Sequence, residues 1–154
     1  MNLSSHFELE ELIRSEVATR KGIDNTPPEW VIDNLQNLCV KILEPLRTAL
    51  GPVLITSGYR CEQLNLAIGG SKTSSHMEGK AADLSVRGKT LAEVYNWLLA
   101  HKEPLMYDQI IREFPPGGWI HVSFDPAKNR RQGLLATAAK GKTIYLPQDT
   151  PVTV

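Results

Sequence analysis

The sequence predicts an α+β domain, an antiparallel β-sheet flanked by helices. Three observations predict it. Helix-periodic apolar segments crowd the first part of the chain and strand-like segments the later part, the α+β arrangement. Pro115-Pro116-Gly117-Gly118 separates two strand-like segments by a hairpin-sized loop, and hairpins join antiparallel strands. The chain has 154 residues, 42% hydrophobic and 22% charged, which suits one globular domain with a single core. Residues 1–154 are therefore read as one domain.

Each element has its own signal. Phe7 to about Lys21 reads as a helix on an apolar face of Phe7, Leu9, Leu12, Ile13 and Val17. Thr26-Pro27-Pro28-Glu29 has the form of a capping box and opens a second helix. Val31, Leu35, Leu38, Ile42 and Ala49 form its buried stripe, with Trp30 and Leu46 assigned to the core. Pro45 should kink or break that helix, and Gly51-Pro52 ends it. Val53–Ser57 reads as a buried strand that stops at Gly58. Glu62 to Ile68 is a short helix stopped by Gly69-Gly70. Ser71–Gly79 is a polar loop. Ala81–Val86 is a strand with Ala81, Asp83 and Ser85 on one face. Thr90-Leu91-Ala92-Glu93, a second capping box, opens a helix that ends near His101. Asp108–Phe114 and Trp119–Phe124 are the hairpin strands, and Thr143–Leu146 is a last strand. The tail from about Pro147 is expected to be loosely held.

Charge and composition exclude several roles. Lys+Arg and Asp+Glu both number 17, so no surface-wide grip on nucleic acid or anionic lipid is expected. No apolar run approaches the roughly 20 residues of a membrane span. Met1–Glu8 lacks a basic segment followed by an apolar one, so no secretory signal is expected and the protein is cytoplasmic as made. Cys39 and Cys61 form no CxxC pair and read as partly buried thiols in a reducing compartment.

The chemistry concentrates on two of the four histidines. His76 lies in the polar loop, Asp83 on the next strand, and His121 inside the apolar strand Trp119-Ile120-His121-Val122-Ser123-Phe124. A histidine there must satisfy both ring nitrogens away from bulk water, and a zinc ion is one way to do so. Two histidines and one carboxylate are a standard catalytic zinc set with a fourth position left for water. The plainer alternative is a hydrogen-bonded core histidine with Asp83 as a strand-end partner. Ser74-Ser75-His76-Met77-Glu78-Gly79-Lys80-Ala81-Ala82-Asp83 follows S-x-H-x-x-G-x-A-x-D. Five fixed positions make a chance match roughly one in ten thousand for a chain this long, which favours the site. In that reading Gly79 lets the loop turn and bring its backbone toward the ion.

With these residues the sequence resembles the D-alanyl-D-alanine carboxypeptidase-type zinc peptidases, most of all their small, phage- or prophage-associated subgroup. Further anchors are Ser57-Gly58-Tyr59-Arg60, Asn65 with Ile68-Gly69-Gly70, Asp108-Gln109-Ile110-Ile111, and the strand around His121, so the likeness runs from Phe7 to about Leu134. The resemblance implies a Hedgehog/D,D-peptidase fold, one zinc on His76, Asp83 and His121, and Arg60 facing the substrate. Many members carry Asp or Glu three positions before the second histidine as general base. This chain has Gly118 there. The nearest carboxylate is Glu113, across the hairpin. A five-residue loop, Pro115 to Trp119, would set Glu113 directly opposite His121, whereas a four-residue loop would set Arg112 there. The resemblance favours Glu113, with Asp108 and Glu78 as outside candidates.

The other polar residues follow from position. Arg60 suits a substrate carboxylate or the scissile carbonyl, or alternatively a salt bridge at a helix start. Trp119 shares a face with His121 and either walls the cleft or packs. Ser74 and Asn65 are supporting, substrate-binding groups. Tyr59 and Trp97 are packing residues, His101 sits at a helix end, His6 stabilises the first helix, and Arg130-Arg131 is a solvated pair. The expected function is a zinc-dependent, endolysin-like peptidase on peptidoglycan stem peptides, a D,D-carboxypeptidase or an endopeptidase, acting as a monomer. It would be released to the cell wall by a phage lysis system, be carried on a virion, or work on recycled muropeptides. The alternative is a non-catalytic zinc module that binds cell wall or a partner protein.

Overall fold

The computed structural model describes residues 1–154. The helices are α1 (Leu9–Ile13), α2 (Glu16–Lys21), α3 (Glu29–Leu38), α4 (Glu44–Leu50), α5 (Glu62–Ala67), α6 (Leu91–Ala100) and α7 (Lys102–Leu105). The strands are β1 (Val53–Ser57), β2 (Ala81–Val86), β3 (Gln109–Glu113), β4 (Trp119–Ser123), β5 (Gln132–Ala139) and β6 (Lys142–Pro147). They form one six-stranded sheet in the order β1-β2-β4-β3-β5-β6. The architecture is α+β, with every strand pair antiparallel except β3–β5, which is parallel.

One face of the sheet carries the core. Ala82, Leu84, Ile110, Ile120 and Val122 are fully buried there, together with Val31, Leu35 and Leu38 of α3 and Val94, Tyr95 and Leu98 of α6. Alternation along each strand sends the intervening residues to the other face. That face holds the functional site.

Several local expectations change. The single helix over Phe7–Lys21 is two. Arg14 is extended, and Ser15 caps α2 by accepting from the Ala18 N–H at 3.2 Å. The carbonyls that would continue α1 are taken elsewhere: Leu12 O accepts from Tyr59 N–H at 2.6 Å and Ile13 O from the Asn25 side chain at 2.8 Å. Thr26 caps nothing; its hydroxyl donates to Asp24 at 2.6 Å, and Pro28 is the residue before α3. Pro45 breaks no helix. A π-helical turn, Cys39–Leu43, joins α3 to α4 and puts Pro45 in the first turn of α4, where a missing N–H is tolerated. Leu46 is buried as expected, but Trp30 is 56% exposed because it lies on the solvent side of α3. β1 is an edge strand with only Ile55 buried.

β5 has no counterpart in the sequence reading, and its parallel pairing has a local cause. Arg130 grips Asp108 through Nε at 2.8 Å, a second guanidinium nitrogen at 2.9 Å and its backbone N–H at 3.0 Å. Arg131 N–H and Gln132 N–H bond the carbonyls of Tyr107 and Asp108. Together these bonds start β5 level with β3 and in the same direction. Arg130-Arg131 is thus no solvated pair; Arg131 also bonds Glu103 at 3.0 Å. The tail is anchored at two places. Gln148 N–H bonds Gly133 O at 2.9 Å, and the Asn96 amide exchanges two bonds with the Val152 backbone, both 2.7 Å.

Candidate metal centre

β2 and β4 pair so that Asp83 lies directly across from His121. His76 reaches them from a 3₁₀ turn, Ser75–Glu78, which Ser74 opens by accepting from the His76 N–H at 3.3 Å. The His76 ring donates Nδ1–H to the Gly58 carbonyl at 2.7 Å, so Nε2 keeps its lone pair and faces Asp83. Gly58 owes its place to close approach: a Cβ there would overlap the Leu12 carbonyl. Ser57-Gly58-Tyr59-Arg60 is therefore a hub. On one side Tyr59 N–H donates to the Leu12 carbonyl of α1, and on the other Arg60 N–H donates to His76 O at 3.1 Å.

Asp83 Oδ1 lies 3.3 Å from His76 Nε2 and 3.1 Å from His121 Nδ1, and the three donor atoms all fall within 4.8 Å of one another. Ligands at about 2.0–2.1 Å in tetrahedral array around zinc stand about 3.3 Å apart, so the donor set and its spacing fit such an ion. The two rings meet edge-on at 5.1 Å between centroids. All three residues are buried, at 2%, 9% and 8% exposure. Burial pushes the His76 imidazole toward its neutral form, the form that ligates. Burial opposes the charge on Asp83, but the two imidazoles overcome it and hold the carboxyl well below the ordinary range.

A cleft of about 750 Å³ opens over these donors. Arg60, Ser74, Glu113 and Trp119 line it, as do Gln109, Arg130 and Tyr145, which the sequence reading did not place there. Arg60 makes no ion pair, and its Nε is buried without a partner, so the salt bridge considered for it is absent. Burial lowers its pKa, opposed by the charges on Asp83 and Glu113.

The hairpin register differs from the expected one. Glu113 pairs with Trp119, and Ile111 lies opposite His121. The turn begins one residue earlier than expected, at Phe114, which adopts a left-handed φ of 51°. The shift from the expected pairing is two residues, the strand period, so Glu113 keeps the face of His121. Gly118 has a steric role: a Cβ there would overlap the Glu113 carbonyl, so the hairpin admits no side chain at that position. Burial first, and the Asp83 charge second, raise the Glu113 carboxyl above its ordinary pKa.

Four other expectations move away from the cleft. Asn65 is 3% exposed, and its amide holds Ser71 O at 2.9 Å beneath the Gly70–Ser71 loop. Asp108 is committed to Arg130, and Glu78 pairs with Lys80 at 2.8 Å. Gly79 adopts φ 71° and packs on α3, where a Cβ would come 2.7 Å from Val31 O; it approaches that helix, not the metal donors. His6 bonds Glu44 at 2.8 Å, and His101 stacks on Trp97 at 4.1 Å.

No individual curated protein matches the chain. A family model described as Peptidase M15 matches residues 5–123, a span that contains β1 to β4, His76, Asp83 and His121, Arg60 and Glu113. With more than half its length inside that match, the chain belongs to the Peptidase M15 family.

Proposed function

We propose that the protein is a zinc-dependent peptidase that hydrolyses peptide bonds in the stem peptides of bacterial peptidoglycan. The observation that carries the reading is the convergence of three buried metal donors, an unpaired arginine and a carboxyl of raised pKa on one cleft. His76, Asp83 and His121 would hold the ion. When bound, zinc would supply Lewis acidity and lower the pKa of a coordinated water. Glu113 accepts the proton of the attacking water and passes it to the leaving amine, a task suited to a carboxyl whose pKa burial raises. Arg60 meets the negative oxygen of the tetrahedral intermediate or a substrate carboxylate with its free guanidinium. Ser74 holds the His76 turn, and Trp119 walls the cleft. The fold on this reading is the Hedgehog/D,D-peptidase type.

No helix is long and apolar enough to cross a membrane. On this reading the substrate is met at the wall, through a phage lysis pore or a virion, or as recycled muropeptides in the cytoplasm. Incubating the zinc-loaded protein with purified muropeptides and following products by mass spectrometry tests the proposal. New amino termini or released D-alanine are expected, and they also assign the bond as carboxypeptidase or endopeptidase chemistry. Unchanged muropeptides with zinc bound would return the protein to the non-catalytic module.

A further inference from the structure

Past Arg60 the cleft continues into a second cavity, of about 610 Å³, that the proposed chemistry does not use. Arg60 and Ile68 line both, so the two form one groove. The second cavity lies between β1, at the edge of the sheet, and the turn that leads from α1 into α2. Ser57 of β1 pairs with Asp83, which sets this edge one strand spacing, about 4.8 Å, from Asp83.

Strand order decides which end of a substrate lies here. Glu113 stands on β3, His121 on β4, Asp83 on β2 and Ser57 on β1, so His121 and Asp83 separate Glu113 from the second cavity. A peptide that leaves its amine beside Glu113 runs the other way with its acyl side, over His121 and Asp83 to β1. That path is two strand spacings, about 10 Å, or roughly three extended residues. The outer N–H and C=O groups of β1 have no strand partner and suit an extended main chain. Charge selects the side chain. Arg14, at the end of α1, is exposed and makes no ion pair, and Arg60 makes none either. Glu16 is the one carboxylate in the lining and faces Arg20 at 3.8 Å. Two unpaired guanidinium groups and one engaged carboxylate leave the cavity positive, and an arginine fork takes a carboxylate through two parallel hydrogen bonds.

We propose that this second cavity is an acyl-side subsite for an acidic residue of the substrate, two or three positions before the scissile bond, with its carboxylate on Arg14 and its main chain along β1. The assignment rests on the peptidase reading, because the proton handed from Glu113 to the leaving amine is what gives the bound chain its direction.

The test uses zinc-loaded protein and peptides that carry glutamate, glutamine or lysine at the second or third residue before the scissile bond. Hydrolysis is measured for wild type, Arg14→Ala, Arg14→Lys and Arg14→Glu. Binding of the same peptides to zinc-loaded Glu113→Gln, with and without Arg14→Ala, is measured by calorimetry. The Arg14 side chain is exposed, so zinc content and thermal midpoint should match wild type. Wild type should prefer glutamate over glutamine at one of the two positions by about tenfold in kcat/KM. Arg14→Ala should raise KM for that glutamate peptide by about tenfold, leave its kcat within about threefold, and erase the preference. Arg14→Lys should keep part of the preference, and Arg14→Glu should turn it toward lysine. Cleavage by wild type without a glutamate preference, or with one that survives in Arg14→Ala, overturns the subsite and leaves the peptidase reading standing. Arg14-dependent binding of the glutamate peptide without cleavage by wild type overturns the peptidase reading and supports the cavity as an acidic-peptide site. Neither binding nor cleavage overturns both.

Discussion

The two faces of the central sheet are built from the same strands and do opposite things. On one face Ala82, Leu84, Ile110, Ile120 and Val122 are sealed under α3 and α6. On the other, one residue along each strand, stand Asp83, Ile111, Glu113, Trp119 and His121. The first face is a continuous apolar core that drives folding. The second carries three buried polar donors, a raised carboxyl and only a three-residue apolar cluster. A slip of one residue in pairing would exchange the faces, so the apolar side fixes the register that the polar side needs. The core thereby sets the strand register on which the site depends.

That division can be broken by experiment. The largest effect is expected at Glu113 on the polar face: Glu113→Gln should lower kcat by roughly 10²–10⁴ with zinc content and unfolding midpoint unchanged. An unaltered rate would remove Glu113 from the mechanism. On the apolar face, Leu84→Ala should cost about 2–5 kcal/mol in denaturant unfolding while the folded fraction still binds zinc stoichiometrically. Zinc loss without loss of stability would show that the faces are not separable in this way. Gly118→Asp sharpens the boundary between them. It restores a carboxylate three before His121 but overlaps the Glu113 carbonyl, so it should destabilise by about 1–3 kcal/mol and fail to rescue Glu113→Gln. Rescue would mean the hairpin can rearrange.

The pH profile sharpens it further. Glu113 must be ionised to accept a proton, and its pKa is raised from 4.5 by burial and Asp83. Activity should therefore fall with acidification through a pH above the ordinary carboxylate value, and the acid limb of kcat/KM should vanish in Glu113→Gln. The smallest effect lies away from both faces. Asn96→Ala removes two bonds to Val152 and should cost about 1 kcal/mol, read as faster amide exchange at the tail.

Legibility followed the range of the interactions. β2, α6 and its Thr90 cap, and the hairpin strands were readable because alternation, capping residues and turn glycines act within a few positions. The cluster of His76, Asp83 and His121 was readable as residue types in a spaced motif. What failed depended on distant partners. α1 ends early because Tyr59 and Asn25 take its carbonyls, and β5 runs parallel because Arg130 reaches back to Asp108. Asn65 resembled a cleft residue, but its amide is used on Ser71.

By itself the sequence determined that this is an α+β chain with two imidazoles and one carboxylate in a spaced motif, since local periodicity and side-chain chemistry are written residue by residue. Only the tertiary structure decided that Ile111, not Glu113, faces His121, that Gly118 is closed to any side chain, and that a C-terminal ribbon brings Tyr145 to the cleft. Those outcomes depend on strand register and backbone approach between residues far apart in the chain, which sequence spacing does not encode.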